Sequence, residues 1–310
     1  MARSGEVRLF ELGEDRLLQI LLPHLPVGRN TVVGTGDDCA VVKGPGNGLM
    51  LLLKTDCIVE GVHYNANEEP TRVGWKALCR TLSDVAAMGG EPLHALITIF
   101  SPENRRVAYW KSLYSGLSKA AKRFGVGIVG GETSRSQCAA ISVAMIGCVE
   151  ADHVVTRSGG RPKDILCVTG TLGGSLARRH LDFVPRVTEG RWLGKRRYAR
   201  AMMDLSDGLA TDLPRLAAAS KCSFRIDIEA VPKTRGCDSR RALSDGEDYE
   251  LLIAVSPRMI SSLLRSWRKV FPKLKLTAIG ELTDPGTPAA GLPPGFDHFL
   301  PGGKPHGQAN

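Results

Sequence analysis

The chain has 310 residues, 43% hydrophobic and 24% charged, a size and composition that suit two folded domains and exclude a disordered or fibrous protein. Its formal net charge of +9 is uneven, because residues 178–200 hold eight Lys or Arg against two acids. No apolar run approaches the roughly 18 residues of a membrane span. The eight cysteines make no C-x-x-C pair or zinc-ligand spacing, so a reduced, cytoplasmic protein is expected.

In chain order, apolar β-branched runs predict strands at 49–56, 95–100, 126–131 and 141–149. Between them, apolar residues at three- and four-residue spacing predict helices over 71–90 and within 102–124, giving a mixed α/β layer domain. A Gly- and Pro-marked loop at 157–164 places a boundary near 155, dividing the chain into 1–155 and 156–310. The pattern restarts with "ILCVTG", a helix from about 207 to 219, a strand near 223–228, "YELLIAV" and "LTAIGEL". The tail after Asp284 is rich in Pro and Gly, and its last residues are expected to be loose. Leu-Ser-Asp recurs at 82, 205 and 243, and each copy suits a helix N-cap.

Caps need one acceptor per helix, yet acids beside small residues recur at Asp37, Asp38, Asp56, Asp84, Glu132, Asp204 and Asp207, mostly where apolar runs end. In α/β domains strand ends and helix starts converge on the ligand crevice. Converging carboxylates repel unless a cation sits among them. Oxygen ligands without a Cys or His cluster suit a hard cation such as Mg²⁺, which in turn suggests a phosphate substrate. The glycine-rich segments 129–136 and 169–175 offer backbone amides to phosphate, with Arg135 or Arg157 adding charge. Neither G-x-x-x-x-G-K-[ST] nor G-x-G-x-x-G is present. The basic 178–200 segment reads as a solvated surface or linker, with nucleic-acid binding the weaker reading because no such motif accompanies it.

Seven segments occur in the order of a known family: "GTGDDCAVV", "TDCIVEGVHY", "VGWKALCRTLSDVAAMGGEP", "GGETSRS", "RSGGRPKDILCVTGTLG", "MMDLSDGLATDL" and "SDGEDYELL". Over nearly its whole length the chain resembles the thiamine-monophosphate kinases, within the superfamily of aminoimidazole ribonucleotide synthetase. The resemblance implies that superfamily's two-domain α/β fold of α+β layers, with a mixed sheet in an N-terminal domain for ATP, metal and dimerisation and an α/β C-terminal domain for substrate. It implies ATP-dependent phosphorylation of thiamine monophosphate to thiamine diphosphate by a homodimer using several Mg²⁺ ions. Metal positions carry over to Asp38, Thr55, Asp56, Asp84, Glu132, Asp204 and Asp207, and ATP contacts to Tyr114, Gly131, Glu132, Arg157 and Ser206. Substrate contacts carry over to His63, Glu247 and Phe296. Asp212 has no match and reads as surface or local structure. No residue is expected to form a phosphorylated intermediate, because the acceptor is already a phosphate dianion.

Three positions depart from the family pattern: Glu132 stands for Asp, Lys54 for a small hydroxyl residue and Asp245 for glycine. Strand alternation permits Lys54 to point away from the acids. Two other functions compete with the kinase. One is a related ATP-dependent synthetase acting on an amide or other oxygen, which "EGVHY" and "GEDYELL" disfavour. The other is a non-catalytic nucleotide or polyanion binder, for which a carboxylate cluster would be a disadvantage.

Overall fold

A computed structural model describes residues 7–46, 48–288, 291–293, 296 and 298–299. The last residues of the tail, expected to be loose, lie outside the described residues. Two short helices, α1 (Leu9–Leu12) and α2 (Glu14–Leu21), precede a six-stranded sheet. Its strands are β1 (Thr31–Val33), β2 (Ala40–Lys43), β3 (Leu49–Val59), β4 (Glu91–Ser101), β5 (Gly127–Arg135) and β6 (Ala140–Glu150), in spatial order β1-β2-β3-β6-β4-β5. Only β4 and β5 run parallel, so the sheet is mixed as expected. Long apolar runs make its centre: β3 pairs with β6 continuously from Leu49↔Glu150 to Val59↔Ala140.

Helix α3 (Pro70–Ala87) packs on this sheet beside α4 (Val107–Phe124). Its start is local chemistry: the Glu69 side chain accepts the Arg72 amide, and Pro70 occupies the first turn, where its missing N–H costs nothing. Leu78, Leu82 and Val85 are fully buried against the sheet. Each contributes about 1.5–3 kcal/mol by leaving water. A Cβ on Gly74 would lie 1.9 Å from the Leu113 carbonyl and one on Gly116 1.9 Å from that of Thr71, so two glycines bring the helices into backbone contact.

The second sheet is antiparallel throughout, in order β8-β10-β7-β11-β9. It comprises β7 (Ile165–Thr169), β8 (Ala199–Asp204), β9 (Ser223–Ile226), β10 (Leu251–Val255) and β11 (Leu276–Thr283). The short helix α5 (Ser175–Arg178) follows β7. Helices α7 (Leu209–Ala219) and α8 (Ser239–Ser244) share one apolar cluster with the sheet. Helices α6 (Val187–Lys195) and α9 (Ile260–Val270) share another, which also contains Ala87 of α3. Helix α3 therefore joins the two sheets, and a Cβ on Gly190 of α6 would come 2.0 Å from its Ala86 carbonyl.

The basic 178–200 segment is tied down by acids from elsewhere in the chain. Arg186 pairs with buried Glu250, Arg191 with Glu91, Arg197 with Asp152 and Arg200 with buried Asp164. Its charge is spent largely on internal ion pairs, which takes away the observation that favoured polyanion binding.

The capping expectation for Leu-Ser-Asp fails at all three copies. Ser83 and Asp84 lie inside α3, the N-cap of α7 is Gly208, and Ser244 ends α8. The second and third copies instead clasp each other. The Glu247 amide donates to the Ser206 carbonyl at 2.7 Å and the Tyr249 amide to that of Leu205 at 2.8 Å. Gly246, at φ 70°, makes this approach feasible, since a Cβ there would sit 2.9 Å from the Ser206 carbonyl oxygen.

Candidate active site

The acids converge where α3 meets the end of β8. Asp38 comes from the loop after β1, Asp84 from the last turns of α3 and Asp204 from the final residue of β8. All three are buried, and one ligand oxygen from each lies within 4.8 Å of the others. Around them, Gly36, Asp37, Lys54, Asp56, Arg80, Arg157, Ser206, Asp207 and Arg215 line a cavity of about 320 Å³.

Most of these acids face a cation of the chain itself. Arg157 donates to Asp38 Oδ1 at 2.5 Å, Lys54 Nζ lies 2.7 Å from Asp84 Oδ1, and Arg80 Nε donates to Asp56 Oδ2 at 3.0 Å. Arg215 pairs with Asp207. Burial first, and then the neighbouring acids, hold Asp84 well above the usual carboxylate range and push Asp204 up to about 7. The same two causes, burial and then Asp38, push Asp37 up to about 6.

A divalent cation fits this place. Asp38 Oδ2 is buried and has no hydrogen-bond partner among the described residues, while Asp84 and Asp204 offer further oxygens alongside it. An orphaned carboxylate oxygen costs one to several kcal/mol unless something positive meets it. An all-oxygen donor set matches Mg²⁺ better than zinc.

A second, smaller recess adjoins the first and shares Arg80, Ser206, Asp207, Tyr249 and His298 with it. Its own walls include His63, Glu247, Phe296 and Asp245. His63 Nδ1 accepts the Val59 amide at 3.1 Å, and burial, then Arg80, lowers the ring's pKa to about 2. The imidazole is therefore neutral, with its hydrogen on Nε2. Buried Lys76 pairs with Glu247 and donates to the His63 carbonyl at 2.7 Å, tying both residues to α3. Phe296 meets His298 edge-on, with ring centroids 4.8 Å apart.

The structure thus brings together Asp56, Asp84, Arg157, Asp204, Ser206 and Asp207 in one cavity, with Asp38 buried beside Asp84 and Asp204, and His63, Glu247 and Phe296 in the next. It does not bring the remaining four into either. The Thr55 hydroxyl is on the outer face of the first sheet, 3.5 Å from that of Ser142. Exposed Glu132 lies on edge strand β5 and accepts the Thr133 amide with its own side chain. Gly131 packs against β4, where a Cβ would strike the Ile97 carbonyl oxygen at 1.8 Å. Tyr114 is partly exposed on α4.

Several expectations change. Lys54 points toward the acids rather than away, because it shares the inner face of β3 with Asp56 and the buried Leu52 and Ile58. Of the two readings of Asp212, the surface one fails, since the residue is fully buried, and the local-structure one holds, with Oδ2 accepting the Asp207 amide at 3.0 Å. Asp245 has ordinary helical geometry, φ −63° and ψ −35°, and the left-handed turn falls instead on Gly246 and Glu247. The glycine-rich 169–175 turn binds the chain's own carboxylates: the Gly173 amide donates to Asp248 and the Gly174 amide to Asp245.

Sequence reasoning passed over Arg80, Lys76, Arg215 and Tyr249, all of which line or brace the two cavities. A basic residue inside an apolar helical pattern, as at Lys76 and Arg80 in "WKALCR", was the available signal.

This arrangement has known counterparts. The family model described as AIR synthase related protein, N-terminal domain, matches residues 36–149, and that for the C-terminal domain matches residues 183–290. A thiamine-monophosphate kinase of Aquifex aeolicus is 36% identical over 276 residues, covering 79% of this chain and 87% of the relative. One from Buchnera aphidicola subsp. Acyrthosiphon pisum is 33% identical over 283 residues, covering 82% and 85%.

The chain belongs to the thiamine-monophosphate kinase family. Among solved members, AaThiL complexed with AMPPCP and TMP superposes with a TM-score of 0.83 at 33% identity, covering 96% of this chain and 100% of that one. A thiamine-monophosphate kinase from Aquifex aeolicus gives 0.75 at 32% identity, with 92% and 98% covered. The two-domain fold of the family is accordingly the fold of this chain.

Proposed function

We propose that this chain phosphorylates thiamine monophosphate to thiamine diphosphate with ATP. The observation that carries the reading is the buried Asp38, Asp84 and Asp204 triad opening into a cavity that adjoins the His63, Glu247 and Phe296 recess, with Arg80 in the wall between. The likeness to a kinase captured with AMPPCP and TMP supports the same pair of substrates here.

Asp38, Asp84 and Asp204, with Asp56 and Asp207 beside them, would hold Mg²⁺, which when bound neutralises phosphate charge and lines up the displacement. Arg157 and Arg80 supply donors to phosphate oxygens on the two sides of the cavity, and Ser206 borders both. The second pKa of the acceptor phosphate lies near 6, so it is largely dianionic at neutral pH and no general base is required. Neutral His63, Glu247 and the apolar ring of Phe296 wall the recess assigned to the thiamine phosphate.

We further assign residues 1–155 to nucleotide, metal and subunit contacts and residues 156–310 to the substrate. The outer face of the first sheet exposes Leu53, Leu96 and Val129 around a groove of about 680 Å³. Contiguous apolar surface of this kind suits association, and we assign it to a second copy of the chain. Thr55 shares that face, and Tyr114, Gly131 and Glu132 retain their proposed ATP and metal roles.

The test is ADP release by the purified protein with ATP and Mg²⁺, offering thiamine monophosphate, thiamine and formylglycinamidine ribonucleotide separately. Turnover with thiamine monophosphate alone, yielding thiamine diphosphate, is expected. Turnover with only the formylglycinamidine compound would instead make the protein a synthetase.

A further inference from the structure

We infer that the Lys54 ammonium fills one cation position of the carboxylate cluster, so that this chain gathers fewer divalent ions than its acids alone would hold. The inference rests on reading the cluster as the metal-holding part of the kinase site.

The geometry begins with strand alternation. Lys54 and Asp56 extend from the same inner face of β3 toward α3, where Asp84 waits within one side-chain length. Lys54 Nζ lies 2.7 Å from Asp84 Oδ1, and the Asp84 side chain is only 9% exposed. Asp84 is also a member of the triad with Asp38 and Asp204, so Lys54 already occupies one oxygen of a carboxylate that a divalent ion would share. A Mg²⁺ ion would draw on the same carboxylate, at about 2.0–2.1 Å. It would also face a positive charge a few ångströms away in surroundings that screen poorly.

The opposite wall keeps its capacity for metal. Asp38 Oδ2 is buried without a partner among the described residues, and Asp204 is paired with none of Lys54, Arg80, Arg157 or Arg215 by a salt bridge. On the Asp84 side the cluster thus carries the Lys54 charge, while on the other side Arg157 takes Asp38 Oδ1 and leaves Asp38 Oδ2 and Asp204 for a divalent ion. During turnover Lys54 would oppose the negative charge of the phosphates without having to bind from solution.

The test uses the full chain and Mn²⁺ alone, with free Mn²⁺ counted by electron paramagnetic resonance. Lys54→Ser is expected to bind one more ion per chain than wild type, or the same number at least tenfold more tightly. Lys54→Arg, which keeps the charge, should follow wild type. Thermal melting gives a second readout: Mn²⁺ should raise the Tm of Lys54→Ser more than that of wild type. Lys54→Gln, which retains most of the stem, replaces the serine variant should that one not fold. Equal number and affinity in wild type and the uncharged variant would overturn the role of Lys54 alone. Binding by none of the proteins would overturn the metal reading of the cluster with it.

Discussion

At the scale of single residues, His63 shows how burial fixes chemistry. Its ring is lowered to about 2 by burial and by Arg80, against about 6.5 in the unfolded chain. A folded-state value below the unfolded one means that the unfolded chain takes up the proton first as pH falls. Stability is therefore fully present above pH ~6.5 and declines toward pH ~2, by about 1.4 kcal/mol per pH unit from this one group. Urea unfolding of wild type and His63→Gln between pH 4.5 and 7 checks this, the variant losing that part of the slope; parallel curves would refute it. The acids Asp38, Asp56, Asp84, Asp204 and Asp207 were legible in the sequence because each ends an apolar run or sits in a recognisable segment. Their cationic partners were not. Which acid Lys54 or Arg80 meets depends on strand facing and on the crossing of α3 over β3, and neither is written in local spacing.

Among elements, α3 carries the greatest burden. It covers the first sheet, touches the second, and delivers Lys76, Arg80 and Asp84 to the cavities along its length. Its position is set by the glycine contacts with α4. Gly116→Ala should lower stability by about 1–3 kcal/mol, since the new Cβ would meet the Thr71 carbonyl at 1.9 Å and force the helices apart. The fall in Tm should be matched by a fall in kcat, because Asp84 and Arg80 move with the helix. An unchanged Tm would show that the crossing relaxes freely. The helix itself was expected over 71–90, close to its observed bounds, because apolar spacing is a local signal. The reading of Ser83 and Asp84 as a cap failed for the complementary reason. A polar pair tolerated inside a helix requires tertiary partners that sequence does not display.

For the whole molecule, the outer face of the first sheet is an apolar surface that exposes Leu53, Leu96 and Val129. If a second copy covers it, Leu96→Glu should convert a dimer to a monomer at micromolar concentration in size-exclusion chromatography with light scattering. A wild-type monomer, or a dimeric Leu96→Glu, would remove this face as the interface. The two-layer architecture was legible from the alternation of strand-like and helix-like segments. The antiparallel order of the second sheet was not, since pairing between distant strands follows from packing and loop paths.

The carboxylate triad draws Asp38 and Asp84 from the first sheet's layer and Asp204 from the second's. A cation held by all three is therefore also a rivet between halves of the molecule. Loading the site should tighten the joint along α3, so that a protease cutting the 156–164 connection works more slowly once the ion is in place. In such a protein, the charge balance at the site would set how firmly its halves are joined.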